Sequence, residues 1–294
     1  MNNRILSIIV AIIALSTGIT SAQEQTAAGD TGVVKKSQDF TVFDGFEAND
    51  SFRIVYEKSD SYSVSWETNA NLADYVEIYI KERILHIEFN RKGLPYEISR
   101  MYRAKNAPEV VLNAVVSAPE LSSIKIGGNV ALSGGNEALA ADSLYVTVAG
   151  NADFNNLAIN ARSVTIEASG KADVSVPVTA QRVTLSSSNT STLNASVDCN
   201  ALTVINKNSS TMNIRGKAEN VTVNGLGREV DILSLDVPKA ELILANGCRV
   251  YAAPKVLMSL DMKGGSLASF SGDPAIEIVN IQNSSVQRFT GEKK

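Results

Sequence analysis

The 294-residue chain holds one histidine, two cysteines and one tryptophan. A lone histidine leaves no second imidazole to share a metal. His86 itself stands in Leu85-His86-Ile87-Glu88-Phe89, on the polar side of an alternating run. That places it outward on a strand rather than in the role of general base or ligand. An exported chain could pair its two cysteines, Cys199 and Cys248, but the repeat described below argues against it. Aromatics make up only 6% of the chain, so the core must come from Val, Ile, Leu and Ala, which favours β-structure in many small layers. Basic residues are not in excess: Lys and Arg number 27 against 31 Asp and Glu, for a net charge of −4. With no basic patch interleaved with aromatics, nucleic-acid binding is not expected. No Gly-x-Ser-x-Gly turn is present to hold a strained nucleophile, and no other catalytic constellation is found. Beyond residue 22 no apolar run is long enough for a membrane-spanning helix.

What is present begins with a secretory pattern. Arg4 supplies a positive charge, Ile5 to Leu15 an apolar run broken only by Ser7, and Thr20-Ser21-Ala22 small residues before a cut near Gln23. Residues 1–22 therefore read as a signal peptide and 23–37, polar and aperiodic, as a linker. No cysteine lies near the cut, so a lipoprotein is not indicated. The expected location is exported, in the periplasm or at the cell surface.

From residue 38 to 120 the chain alternates apolar and polar residues in short runs. Phe52-x-Ile54-x-Tyr56, Tyr62-x-Val64-x-Trp66, Val76-x-Ile78-x-Ile80 and Leu85-x-Ile87-x-Phe89 are separated by turn residues, which predicts short strands with tight turns. A helical turn is expected at Asn71 to Tyr75, and loop from Gly93 to Ala107.

Residues 121–290 carry a repeat of about 19 residues. Units open at Leu144, Val164, Val183, Leu202, Val221, Ala240, Met258 and Ile276, with Ile124 opening an earlier, less regular one. Two positions on, every unit is apolar. Six positions on stand Gly150, Gly170, Asn189, Asn208, Gly227, Asn246, Gly264 and Gln282; all but the last are the residue types that best tolerate positive φ. Position eight is mostly small, and position ten mostly apolar again, with the Val221 unit shifted so that Val230 and Ile232 point inward. Each unit is thus a strand, a left-handed turn and a second strand. One unit cannot bury its apolar side, but stacked units can. The expected fold is all-β: a single-stranded parallel β-helix, right-handed by the crossover rule, with 38–120 as a β-rich cap on its open end. The Leu-x-x-Leu-x-Leu frame of leucine-rich repeats is absent.

Candidate sites follow from stacking. Thr165, Thr184, Thr203 and Thr222 align on the outward side of the first strand, with Tyr145 one coil before. Such a face suits binding to a sugar or polymer, although Thr also suits any exposed sheet position. Mixed neighbours two residues later exclude a regular ice-binding lattice. Asp153 and Asp173 align in adjacent coils, about 5 Å apart, and make a candidate calcium site or acid pair with Glu167 nearby; Thr192 ends that ladder. No other cofactor is expected. Cys248 falls in the small inward column, and Cys199 lies three coils away on another side, about 14 Å off, so the two are expected unpaired.

The order of these runs resembles a known family. Phe43-Asp44-Gly45-Phe46 leads into Phe52 to Tyr56 and Tyr62 to Trp66, then Asn71 to Val76 and Arg83 to Ile87; after Pro119-Glu120-Leu121 comes Ile124-Lys125-Ile126-Gly127-Gly128. This is similar to the auto-transporter adhesin head GIN domain family of exported bacterial envelope proteins, over about residues 40–290. Here Val130 follows Gly127-Gly128-Asn129 where that family has a further small residue. The resemblance implies a β-helical body and an adhesin-like role, and supplies no site residues. The reading is a non-catalytic envelope module that presents flat faces to polysaccharide or to envelope or matrix protein. A glycan-active lyase or hydrolase, sketched by Asp153, Asp173 and Lys171, and a structural protein that self-associates as a homo-oligomer are the alternatives.

Overall fold

The computed structural model describes residues 31–289 and 291. The segment read as a signal peptide and most of the linker lie outside these. Among the described residues all strands join one 23-stranded sheet, wound into a β-solenoid of about nine turns. Three columns of parallel rungs make up its walls.

In the first column, Leu139–Val148 pairs with Ser123–Ile126 on one side and Ile159–Ala168 on the other. The pairing continues through Asp173–Ser187, Thr192–Lys207, Thr211–Leu226, Lys239–Leu244, Leu257–Lys263 and Ala275–Gln282. Alternate residues point inward. Val146, Ile166, Leu185, Val204, Val223, Leu242 and Leu260 stack in one fully buried file. The second column carries its own file, with Phe154, Val174, Leu193, Met212, Val230, Val250 and Ala268 buried. The third column is seen where strands run on unbroken through Val178, Val197 and their neighbours.

The corner between the first and second columns is made by left-handed residues. Gly150, Gly170, Asn189, Asn208, Asn246 and Gly264 have φ between 58° and 76°. Two expected positions differ. In the last coil the left-handed residue is Asn283 rather than Gln282. Gly227 is not among the positive-φ residues, because its corner is one residue short. Met212 pairs with Val230 and Val230 with Val250, a short step followed by a long one. The backbone cuts that corner, and glycine is needed there for space: a Cβ on Gly227 would lie 2.0 Å from Asn206 Oδ1. The shift of Val230 and Ile232 into inward places follows from the same missing residue.

Stacking begins before the repeat becomes visible in the sequence. Gly45–Ala48 pairs in parallel with Ser123–Ile126, and Arg53–Lys58 with Ala131–Gly134. On their far sides lie Ile84–Phe89 and Leu112–Ala118. Antiparallel strands then close this end: Val76–Lys81 against Ile84–Phe89, and Ser63–Asn69 between Leu112–Ala118 and Val33–Asp39. The bulky side chains Phe43, Phe46, Phe52 and Tyr56 are buried here. The expected helical turn is the 3-10 helix Ala70–Tyr75.

Two segments expected to be irregular are ordered. Residues 33–37, the end of the linker, lie in the strand Val33–Asp39. Nearly all its side chains are exposed, so no alternation betrays it, and its backbone pairing with Ser63–Asn69 holds it in place. The expected loop 93–107 contains the helix Tyr96–Met101, entered from Pro95 and anchored by buried Ile98.

The opposite end is different. In the terminal coil, Ile276 and Ile278 occupy inward places yet are 41% and 63% exposed, because no further rung covers them among the described residues. The strand Ala275–Gln282 also carries an irregularity against Leu260 and Asp261, at Val279. Such bulges disturb an edge and hinder further strand addition.

Candidate functional site

The outward residues of the solenoid carry its chemistry, and the rungs decide which of them meet. Thr165, Thr184, Thr203 and Thr222 stand directly above one another, as expected. Tyr145 precedes Thr165 and Glu241 follows Thr222. Each Thr is half-buried between its neighbours, and Thr222 Oγ1 donates to Glu241 Oε2 at 3.1 Å. Tyr145 is more exposed, and its phenol interacts with the Glu167 carboxylate, which raises its pKa. The parallel outward file runs Thr147, Glu167, Ser186, Ile205, Asn224, Ile243. The face is thus a hydroxyl ladder beside a mixed one.

Asp153 and Asp173 are also rung partners, flanked by Ala131 and Thr192. Both are exposed. Partial burial and then the Asp153 charge raise the Asp173 carboxyl above its ordinary value, the direction expected for two stacked acids. Among the described residues no three His, Cys, Asp or Glu side chains gather closely enough to hold a metal.

His86 stacks on Tyr79, with ring centroids 5.0 Å apart, and its Nδ1 lies 3.8 Å from Glu88 Oε1. It is outward on its strand, packed into a cross-strand pair. Both cysteines are free and buried. Burial pushes the Cys199 and Cys248 thiols up to about 11, which favours the thiol over the reactive thiolate at neutral pH.

A feature not singled out from the sequence lies between the second and third columns. A groove of about 620 Å³ crosses successive coils from Asn156 to Ser234. Its second-column wall is the file Ser175, Asn194, Asn213 and Asp231, paired rung to rung. Asn213 Nδ2 donates to Asn194 Oδ1 at 2.9 Å, and Leu233 N donates to Asp231 Oδ1 at 2.9 Å. Ser196 and Arg215 form a further rung. The signal was present in the repeat as one more aligned column, polar throughout this stretch, eleven positions into the units from Val164, Val183 and Leu202 and ten into the shifted unit from Val221.

The fold matches solved structures from Parabacteroides species. A putative adhesin from Parabacteroides merdae superposes with a TM-score of 0.63 at 16% identity, covering 88% of this chain and 96% of that one. A putative adhesin from Parabacteroides distasonis gives 0.60 at 16% identity, over 89% and 98%. A putative lipid binding protein from the same species gives 0.59 at 14% identity, over 88% and 97%. Among curated proteins none matches in sequence. The profile of one family, "Putative auto-transporter adhesin, head GIN domain", matches residues 42–195. With just over half of its length matched, the chain belongs to the putative auto-transporter adhesin head GIN domain family.

Proposed function

We propose that this protein is an exported, non-catalytic binding module of the cell envelope, adhesin-like in action, that presents the Tyr145–Thr222 face to an envelope or matrix polymer. The observation that carries this reading is the in-register hydroxyl ladder of Thr165, Thr184, Thr203 and Thr222. A ladder repeats one contact at every coil, at steps of about 4.8 Å. A repeating polymer, glycan or protein, gains from each step without paying separately for orientation. Membership of an adhesin family supports the same direction. The rigid interior supports it too, because the outer face is fixed by the buried files beneath it.

The test is a solid-phase screen of residues 23–294 against glycans and matrix proteins, with and without calcium. Saturable binding by the parent chain, weakened about tenfold or more in Thr184→Lys/Thr203→Lys, is expected; lysines there break the ladder and add positive charge to a face whose own charges are the carboxylates of Glu167 and Glu241. A blank across the whole screen would reject the reading. Cleavage of a screened glycan would replace it with a glycan-active enzyme, for which the stacked Asp153 and Asp173 are the favouring observation. A calcium-dependent hit lost in Asp153→Asn would assign that pair to a metal.

A further inference from the structure

We infer that the groove between the second and third columns is a second binding site, specific for an oligosaccharide laid along the solenoid axis. The inference rests on the protein being a binding module, and not on the Thr face. The groove's volume of about 620 Å³ falls in the range of ligand sites. It crosses five successive coils, so its length is about 19 Å by the rung spacing. That suits a short chain of sugars better than a single one.

The chemistry of the wall selects the ligand. Of the apolar residues along it, Val176, Ala195 and Ile214 turn inward and are nearly fully buried, which leaves Pro177 as the exposed apolar one. The rest of the surface is hydroxyl, amide and charge: Ser175, Ser196, Asn194, Asn213, Asp231 and Arg215. A lipid would find little apolar wall. An extended peptide would need a free strand edge to pair with, and the strand Thr192–Lys207 is hydrogen-bonded on both sides, to Asp173–Ser187 and Thr211–Leu226. Recognition must therefore come from side chains, which favours a ligand dense in hydroxyls.

Two details sharpen the fit. The bond from Asn213 Nδ2 to Asn194 Oδ1 fixes both amides while leaving the Asn213 carbonyl to accept and the Asn194 NH2 to donate. Sugar hydroxyls do both. Arg215 is exposed, and its side chain makes no ion pair or hydrogen bond with the described residues. Its planar fork of donors can take two neighbouring hydroxyls or a sugar carboxylate.

The experiment is calorimetry of the full chain with oligosaccharides from monomer to hexamer, in neutral and uronate-bearing series. Affinity is expected to rise with length and level off near the tetramer. Asn194→Ala/Asn213→Ala and, separately, Arg215→Ala should each weaken binding by about tenfold, the worth of one or two hydrogen bonds. Arg215 is exposed, so its variant folds even if the amide pair proves structural, and unfolding midpoints check both. A uronate preference that disappears in Arg215→Ala would identify the acidic series as the ligand. Oligosaccharide binding that ignores the groove variants overturns the inference. So does an absence of oligosaccharide binding in a protein that still binds matrix proteins, and that result leaves the binding-module reading standing.

Discussion

Gly216 and Gly247 both adopt positive φ, at 110° and 76°, but their surroundings differ. A Cβ on Gly216 would lie 2.1 Å from the Val197 carbonyl oxygen, whereas one on Gly247 meets nothing within 4 Å. Gly247→Ala should therefore cost only the left-handed backbone penalty, about 1 kcal/mol. Gly216→Ala adds a clash with a backbone that cannot move without disturbing a rung, and should cost about 3 kcal/mol. Urea unfolding of the two variants checks the difference. Equal losses would mean that the conformation, rather than the approach of the neighbouring coil, makes glycine necessary. Buried titratable groups give a second residue-scale expectation. Burial raises Tyr56, whose hydroxyl donates to Ala118 O at 2.9 Å, to about 12. It raises both thiols from 9.0 to about 11. A folded pKa above the unfolded one means that the unfolded chain loses its proton first. Stability from these groups is thus complete below about pH 9 and is lost as pH rises through 11 to 12. Unfolding midpoints measured from pH 8 to 12 should fall across that window. Native Cys199 and Cys248 should also resist alkylation at pH 8 and react once unfolded.

At the scale of the element, one strand repeated is not one strand copied. Leu185 and Ile278 hold equivalent inward places in the first column, yet Leu185 is fully buried and Ile278 is 63% exposed. Leu185→Ala should cost about 2–5 kcal/mol through lost burial and the cavity left between two fixed rungs. Ile278→Ala should stay within about 0.5 kcal/mol. A large loss at Ile278 would show that the terminal coil is covered in solution, as the self-associating reading requires. Much of this level was legible in the sequence. The two apolar files, the left-handed corner and the unpaired cysteines follow from alignment of the units, because a period of about 19 residues makes every column a repeated observation. The exceptions have local causes. Gly227 departs because its corner lacks a residue, so spacing and not glycine itself sets φ. The strand Val33–Asp39 was hidden because edge pairing needs only backbone, and its side chains carry no pattern.

At the scale of the whole molecule, the solenoid converts sequence period into surface period. The Thr ladder was readable because identical residues recur. The groove was not, because Ser175, Asn194, Asn213 and Asp231 are each ordinary turn-forming types, and only the bend between two columns makes a concavity of them. The closed N-terminal end and the exposed last coil give the molecule polarity along its axis. The bulky aromatic residues gather at the closed end, where single layers must be filled without the help of neighbours on both sides.

The central claim is that binding is a property of aligned outer files and not of one loop or end. The measurement that tests it most directly is NMR mapping of the full chain with the strongest hit from the binding screen, reading Thr methyl and Asn side-chain resonances. The account predicts shifts that recur at the same rung position through several coils, at Thr165, Thr184, Thr203 and Thr222 or at Asn194 and Asn213. Shifts confined to a single coil, to the N-terminal strands or to the exposed Ile276–Val279 edge would contradict it.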